Sequence, residues 1–248
     1  MEPVRSIPPP GRPDPPEAAS SRAALDLARL LREAGYTSSR IQERLGTGDE
    51  LLARSPELPS YLRRLGDADE LAVLLRLLLL GVPVDRAHVD GQLGGALREG
   101  LESTCFLVHD GDVVHGAARV VPHDELLIAS DHAAAAEGHA DHVPGVHRPS
   151  VALAHLTVRR GGERALDLCT GNGIQAILLA AHAEHVVATD VNQRALAYTR
   201  LNAACNPTES SPCLRTRGTF ICAVTLRNAN APPANASVCA RETRCGRL

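Results

Sequence analysis

A side-chain-poor turn between two short apolar runs constrains this chain more than any other feature. Ala165–Cys169 is apolar except for Asp167 near its end, and Thr170-Gly171-Asn172-Gly173 follows directly. Ile174–His182 then carries Ile174, Ile177, Leu178 and Ala181 on one side of a helix. His185–Thr189 is a second apolar run ending on Asp190, and Gln193–Ala203 is a second helical stretch. Strand, glycine turn, helix, strand, acid and helix, in that order, describe half of a doubly wound α/β sheet.

That order implies a binding crevice. Parallel strands bring their carboxyl ends to one edge, where the loops can hold a ligand. Gly171 and Gly173 carry no side chain, so the backbone can approach a ligand and turn with positive φ. The helix from Ile174 aims its free N–H groups and positive dipole end at the same place. Asp190, at the tip of the second strand, is placed to accept both hydroxyls of a ribose. Two cofactors fit this frame. Gly171–Ala176 satisfies the G-x-G-x-x-G/A spacing of dinucleotide sites, which would suit an NAD-dependent dehydrogenase. Asp167 discriminates between them: a carboxylate beside the cradle repels a pyrophosphate and attracts a cationic sulfonium and amino group. S-adenosylmethionine has that charge and NAD does not.

The runs Ala165–Ala176 and Val186–Ala204 resemble the first two motifs of class I S-adenosylmethionine-dependent methyltransferases. They are similar in particular to the small-methyltransferase group, which includes release-factor glutamine and ribosomal-RNA methyltransferases. His147-Arg148-Pro149-Ser150 is loosely similar to an Arg-Pro segment that precedes the catalytic domain of glutamine methyltransferases. Motif-level likeness covers Arg164–Asn206; ahead of it the likeness is architectural, to a branch with an N-terminal helical domain. The resemblance implies a Rossmann-like domain that binds S-adenosylmethionine. It also implies methyl transfer to a nitrogen of a macromolecular acceptor, either a protein glutamine or an RNA base. Carried over by position, it places Asp167, Gly171 and Gly173 along the methionine end of the cofactor. Asp190 then takes the ribose hydroxyls and Val191 packs beside the adenine. Cys169 stands where such families usually carry glycine, which puts a thiol at the cofactor's edge. Those families hold the acceptor nitrogen with an Asn-Pro-Pro-Tyr or Asn-Pro-Pro-Phe loop after the fourth strand. No such tetrapeptide occurs here, and Asn206-Pro207-Thr208-Glu209 lacks the aromatic, so no catalytic residue is named.

The chain ahead of this unit reads as a separate, mainly helical domain. Pro8, Pro9, Pro10, Pro13, Pro15 and Pro16 predict a solvated arm over residues 1–21. From Arg22, Ala24, Leu27, Leu31 and Ala34 share a helical face, with Gly35 as the stop. Ser39 with Gln42, and Asp67 with Glu70, read as capping boxes for the next helices. The second of these carries Leu71, Leu74, Leu75, Leu78 and Leu79 and stops at Gly81. A glycine-interrupted helical stretch, Asp85–Leu101, comes next. Strand-like runs follow at Cys105–Val108, Val113–Val121 and Leu126–Ala129. Residues 22–130 are thus expected to form either a winged-helix-like module or a plain helical cap with a β-hairpin. The candidate recognition helix around Gly95–Leu101 offers Arg98 beside Glu99 and Glu102, which favours protein packing over nucleic acid.

Residues 131–150, with His132, His139, His142 and His147 among aspartates and glycines, read as a solvated linker. Val151–Val158 reads as a helix ahead of the methyltransferase-like unit, expected over residues 151–205. After Cys205 the apolar periodicity gives way to Asn, Thr, Ser, Pro, Arg and Cys, and only Thr219–Leu226 still reads as a strand. Residues 206–248 are therefore expected to be an atypical, disordered tail rather than the family's continuation. A frame shift, alternative splicing or a misplaced gene end would each produce that, and the domain would then be truncated with an unpaired sheet edge.

Composition excludes several classes. The net charge is −3 and aromatics are 2%, which argues against charge-driven nucleic-acid binding and base-stacking platforms. No apolar run reaches the ~18 residues of a membrane span, and the first residues show no signal core, so the expected location is cytoplasmic with no membrane partner. Seven cysteines without a C-x-x-C pair make a zinc site or disulfide framework a weak reading. A non-catalytic interaction module that keeps a methyltransferase remnant is the alternative function.

Overall fold

The computed structural model describes residues 13–48, 57–66, 69–133, 139–158, 164–206, 215–217 and 222–227. The chain is a mixed α/β protein with small sheets. Its first half is helical. Helix α1 (Ser21–Glu33) begins where the Ser20 hydroxyl accepts the Ala23 N–H, and it buries Ala24, Leu27, Ala28 and Leu31. Helix α2 (Ser38–Leu45) ends on Gly46 in the left-handed region, and α3 is Leu58–Leu65. Helix α4 (Glu70–Leu74) runs into a π-helical turn, Leu75–Leu80, that Gly81 closes at φ 66°. After β1 (Val84–Asp85) come α5 (Arg86–Gln92) and α6 (Gly95–Ser103). Helix α6 faces α1, with Gly100 set against Leu27 and Leu30 and with Leu97 and Leu101 buried.

Two helix starts differ from the expected capping boxes. Helix α2 follows Thr37, not Ser39, and Thr37 makes no side-chain cap. Asp69 caps α4 by accepting the Ala72 N–H, a role assigned above to Asp67, which lies outside the described residues.

Strands β2 (Leu107–Asp110) and β3 (Val113–Gly116) form an antiparallel sheet with β1 in the order β1-β3-β2. The expected single strand Val113–Val121 breaks at Ala117–Ala118. Strand β4 (Arg119–His123) turns away to pair with β5 (Leu126–Ser130) as a second hairpin. Helix α7 (Arg148–Leu156) follows, capped by His147, whose Nδ1 accepts the Ser150 N–H. It leaves Leu153, Leu156 and the following Val158 exposed and packs through Ala154, so the expected apolar helix over 151–158 buries little of its length.

The last sheet has the order β6-β7-β9-β8, from β6 (Arg164–Leu168), β7 (His185–Asp190), β9 (Cys222–Arg227) and β8 (Arg215–Arg217). Helix α8 (Ile174–Ala180) connects β6 to β7, and α9 (Gln193–Cys205) follows β7. Only β6 and β7 are parallel, paired from Arg164↔His185 to Leu168↔Thr189; β9 joins β7 antiparallel. The expected parallel half-sheet is thus realised as one parallel pair. Within residues 206–248, expected above to be a disordered tail, the described residues are Asn206, which is buried and bonded to Leu127, and the strands β8 and β9.

Helix α9 belongs to two cores at once. Ala195, Tyr198, Leu201, Ala204 and Cys205 join the core built by the helices before β2, while Leu196 and Ala203 join Ile174, Ile177, Val186 and Ala188. Residues 131–150 are correspondingly more than a solvated linker. Asp131, Val143 and Val146 are buried, and Asp131 accepts the Val143 N–H at 2.8 Å.

His132 of the same segment sits against Gly81 and Gly116 with its Nε2 sealed from solvent. Burial, aided by the Arg119 charge and opposed by Asp131, pushes its pKa down to about 4. A histidine held neutral in the fold contributes stability that is full above its unfolded value of about 6.5 and drains away as pH falls toward 4. The unfolding free energy from urea titrations is expected to fall across that window by on the order of 2 kcal/mol, after discount for the partial exposure of the residue. His132→Gln should flatten the dependence; an unchanged slope would assign it elsewhere.

Candidate functional site

The carboxyl ends of β6 and β7 bring together most of the residues read from the sequence. The parallel ladder continues one step past β6, where the Thr170 N–H donates to the Thr189 carbonyl at 3.0 Å. There the chain folds back: Cys169, Gly171 and Gly173 all have positive φ, at 58°, 58° and 85°. Glycine takes this region without strain, whereas Cys169 does so at a cost in backbone energy. The Gly173 N–H closes the turn onto Thr170 O at 2.9 Å, and α8 starts immediately after it.

Asp167 and Asp190 face this turn from the two strands. Asp190 accepts the Gly171 N–H at Oδ2 and the Asn192 N–H at Oδ1, both at 2.9 Å. A carboxylate has about four acceptor positions, so each oxygen keeps one for a further donor, such as a hydroxyl of a diol. Asp167 accepts the Thr170 hydroxyl at 2.7 Å. Burial raises its pKa; the Thr170 and Ala176 donors pull it down, and the negative charge of Asp190 adds to the rise. Asp167 therefore senses the charge of Asp190, and among the described residues no cation forms an ion pair with either. A site of this charge fits a ligand bearing an ammonium group and a pair of hydroxyls, and it disfavours a second anion.

Cys169 is exposed, as is Val191, which is 85% accessible and free to lie against a ligand. Gly173 is enclosed: a Cβ there would lie 2.8 Å from the Thr199 methyl carbon. Among the described residues no group of three or more potential metal ligands assembles.

The residues that organise the turn were not read from the sequence. Asn172 donates from Nδ2 to Pro144 O at 3.0 Å and accepts the Ile174 N–H at Oδ1. Asn192 donates to Asp141 O at 2.8 Å, so the segment before α7 is strapped to the turn at two points. Thr199 and Asn202 of α9 bind carbonyls of the turn itself. The available signal was polar: Thr199 and Asn202 within α9, and Asn206 at its C-cap, stand among inward residues that are otherwise Ala, Leu, Tyr and Cys.

Residues 33–118 match the model of a domain of unknown function (DUF7059). The match runs from the end of α1 to just past β3, so it lies wholly in the first half and stops short of the turn. No curated protein matches this chain.

Proposed function

We propose that this chain is an S-adenosylmethionine-dependent methyltransferase acting on a nitrogen of a macromolecule, a protein glutamine or an RNA base. One observation carries the reading: two carboxylates, Asp167 and Asp190, flank a glycine turn at the ends of a parallel strand pair, and among the described residues no cation forms an ion pair with either. Asp167 would hold the cofactor's ammonium and Asp190 its ribose hydroxyls. Gly171 and Gly173 would let the backbone close on the methionine end, with Val191 against the adenine and Cys169 at the margin. When bound, the cofactor supplies a methyl group already activated on sulfonium, so the protein's part is in-line positioning and exclusion of water. The Rossmann-like assignment rests on this same stretch together with the motif likeness at Ala165–Ala176 and Val186–Ala204.

A second reading, a non-catalytic interaction module, draws on the exposed Leu166 and Leu168 of β6, an apolar surface suited to a partner. Titration calorimetry with S-adenosylmethionine decides between the two. Binding by the wild type that Asp190→Ala weakens at least tenfold supports the enzyme reading. Absence of binding by a folded wild type sinks it in favour of the module, and binding of NAD in its place supports a dehydrogenase.

A further inference from the structure

Helix α9 and its C-cap hold both the glycine turn and the β4–β5 hairpin, and Asn202 bonds the two at once. The Gly171 carbonyl accepts the Thr199 hydroxyl at 3.1 Å, and the Asn172 carbonyl accepts Nδ2 of Asn202 at 2.8 Å. The Thr199 methyl and hydroxyl also fill the space where a Cβ on Gly173 would lie. Asn202 simultaneously treats β5 as a neighbouring strand would: Oδ1 accepts the Ala129 N–H at 2.7 Å and Nδ2 donates to the Ala129 carbonyl at 2.8 Å. Four residues on, Asn206 repeats the pattern with Leu127, accepting its N–H and donating to its carbonyl, both at 2.8 Å.

The match is metric. Four residues of helix rise about 6 Å, and two residues of strand span about 6.7 Å, so amides at i and i+4 meet alternate residues of a strand edge. Among the described residues β5 has only β4 as a strand partner, and the two asparagines occupy its other edge as a strand would. An asparagine amide offers two donors and one acceptor, and Asn202 divides them between β5 and the turn. All these groups are buried or part-buried, where a lost partner leaves a polar atom unsatisfied.

From this geometry we infer that Thr199 and Asn202 are positioning residues of the cofactor turn, and that Asn202 makes the β4–β5 hairpin part of the cofactor site. The inference rests on the cofactor reading for its meaning, but its mechanical content can be tested without ligand. The N-terminal half would then be no detachable module: displacing the hairpin would move the turn.

Residue-resolved native-state hydrogen exchange on the full chain is the first test. The amides of Ala129 and Gly173 are expected to open together, below global unfolding, with one denaturant dependence. Independent openings overturn the hairpin link. Asn202→Asp, which keeps the acceptor and removes both donated bonds, should uncouple them; should it fail to fold, the wild-type profile still decides. Thr199→Val keeps the packing on Gly173 and removes only the hydroxyl. It is expected to speed exchange in the turn about tenfold and to weaken S-adenosylmethionine binding about fivefold, the equivalent of one hydrogen bond. Thr199→Ser should restore both. A folded Thr199→Val with wild-type exchange in the turn, or a Thr199→Ser that restores nothing, overturns the positioning role. If the wild type binds no S-adenosylmethionine, the cofactor reading fails while the exchange data still judge the mechanical claim.

Discussion

Arg194→Met is expected to destabilise the protein by about 3–5 kcal/mol, because it strands a charge that the fold has taken out of water. Asp131 and Arg194 are almost wholly enclosed, with side-chain exposures of 2% and 9%. The guanidinium reaches both carboxylate oxygens, at 2.6 Å and 3.0 Å. Tyr198 donates to the same carboxylate at 2.9 Å, and Arg194 also donates to Pro13 O at 2.8 Å. Burial by itself would raise the Asp131 pKa, but the bonds from Arg194, Val143 and Tyr198 together hold it below the ordinary carboxylate range. A depressed carboxyl contributes stability that is full above its unfolded value and is lost as pH falls through the folded one. Without Arg194 the burial remains and its main counterweight is gone; the Val143 and Tyr198 donors stay, with His142 3.8 Å away, and the carboxyl is expected to take up a proton at higher pH than in the wild type. The gap between variant and wild type in urea unfolding should therefore narrow as pH drops from 6 to 4. His132 titrates in that window too, but it is common to both proteins and cancels in the difference. A gap that stays constant with pH would mean that Asp131 does not carry the effect.

Gly116→Ala is expected to cost about 3 kcal/mol or more, lowering Tm by roughly 10 °C for a chain of this size. Strand β3 passes so close to the π-helical turn that a Cβ at 116 would overlap the Leu77 carbonyl oxygen and lie 2.8 Å from its carbon. Backbone cannot swing aside as a side-chain tip can, and Leu77 and Leu78 are themselves locked in the core. Gly91→Ala is the matched control: it lies in α5 with nothing within 4 Å of the added carbon. Alanine there should leave Tm unchanged or raise it slightly. Equal effects of the two substitutions would refute the close approach.

The contrast between these glycines explains how much of the molecule could be read in advance. Gly35 and Gly81 follow helix ends in a conformation that depends on their own lack of a Cβ, and they were legible as stops. The turn at Thr170–Gly173, with acids on either side, was legible for the same reason. Its requirement is local, written in adjacent residues. Helix starts were less so, because Thr37, Ser39, Asp67 and Asp69 are all competent caps, and which is used depends on how the helix face meets its neighbours. Gly116 gives no sign of its role, since the carbonyl it must clear belongs to a residue distant in the chain.

The same division runs through the candidate site. Asp167, Gly171, Gly173 and Asp190 were placed by the alternation of strand, turn and helix, and they do converge. The side chains that brace them from α9 were not, because Asn202 finds β5 at a separation of 73 residues and Tyr198 finds Asp131 at 67. Residues 131–150 look solvated when judged by composition, yet Asp131 is anchored by an arginine 63 positions on.

What the sequence by itself determined is local: which glycines turn the chain, where the acids stand at strand ends, and which helix faces are apolar. Only the tertiary structure decided that α9 serves two cores, that β7 takes an antiparallel neighbour in β9, and that one asparagine bonds both the β4–β5 hairpin and the turn. The reason is physical. Backbone preference and amphipathic period depend on a few adjacent residues, whereas the partner of a buried amide or charge is set by which distant surfaces come to exclude water together.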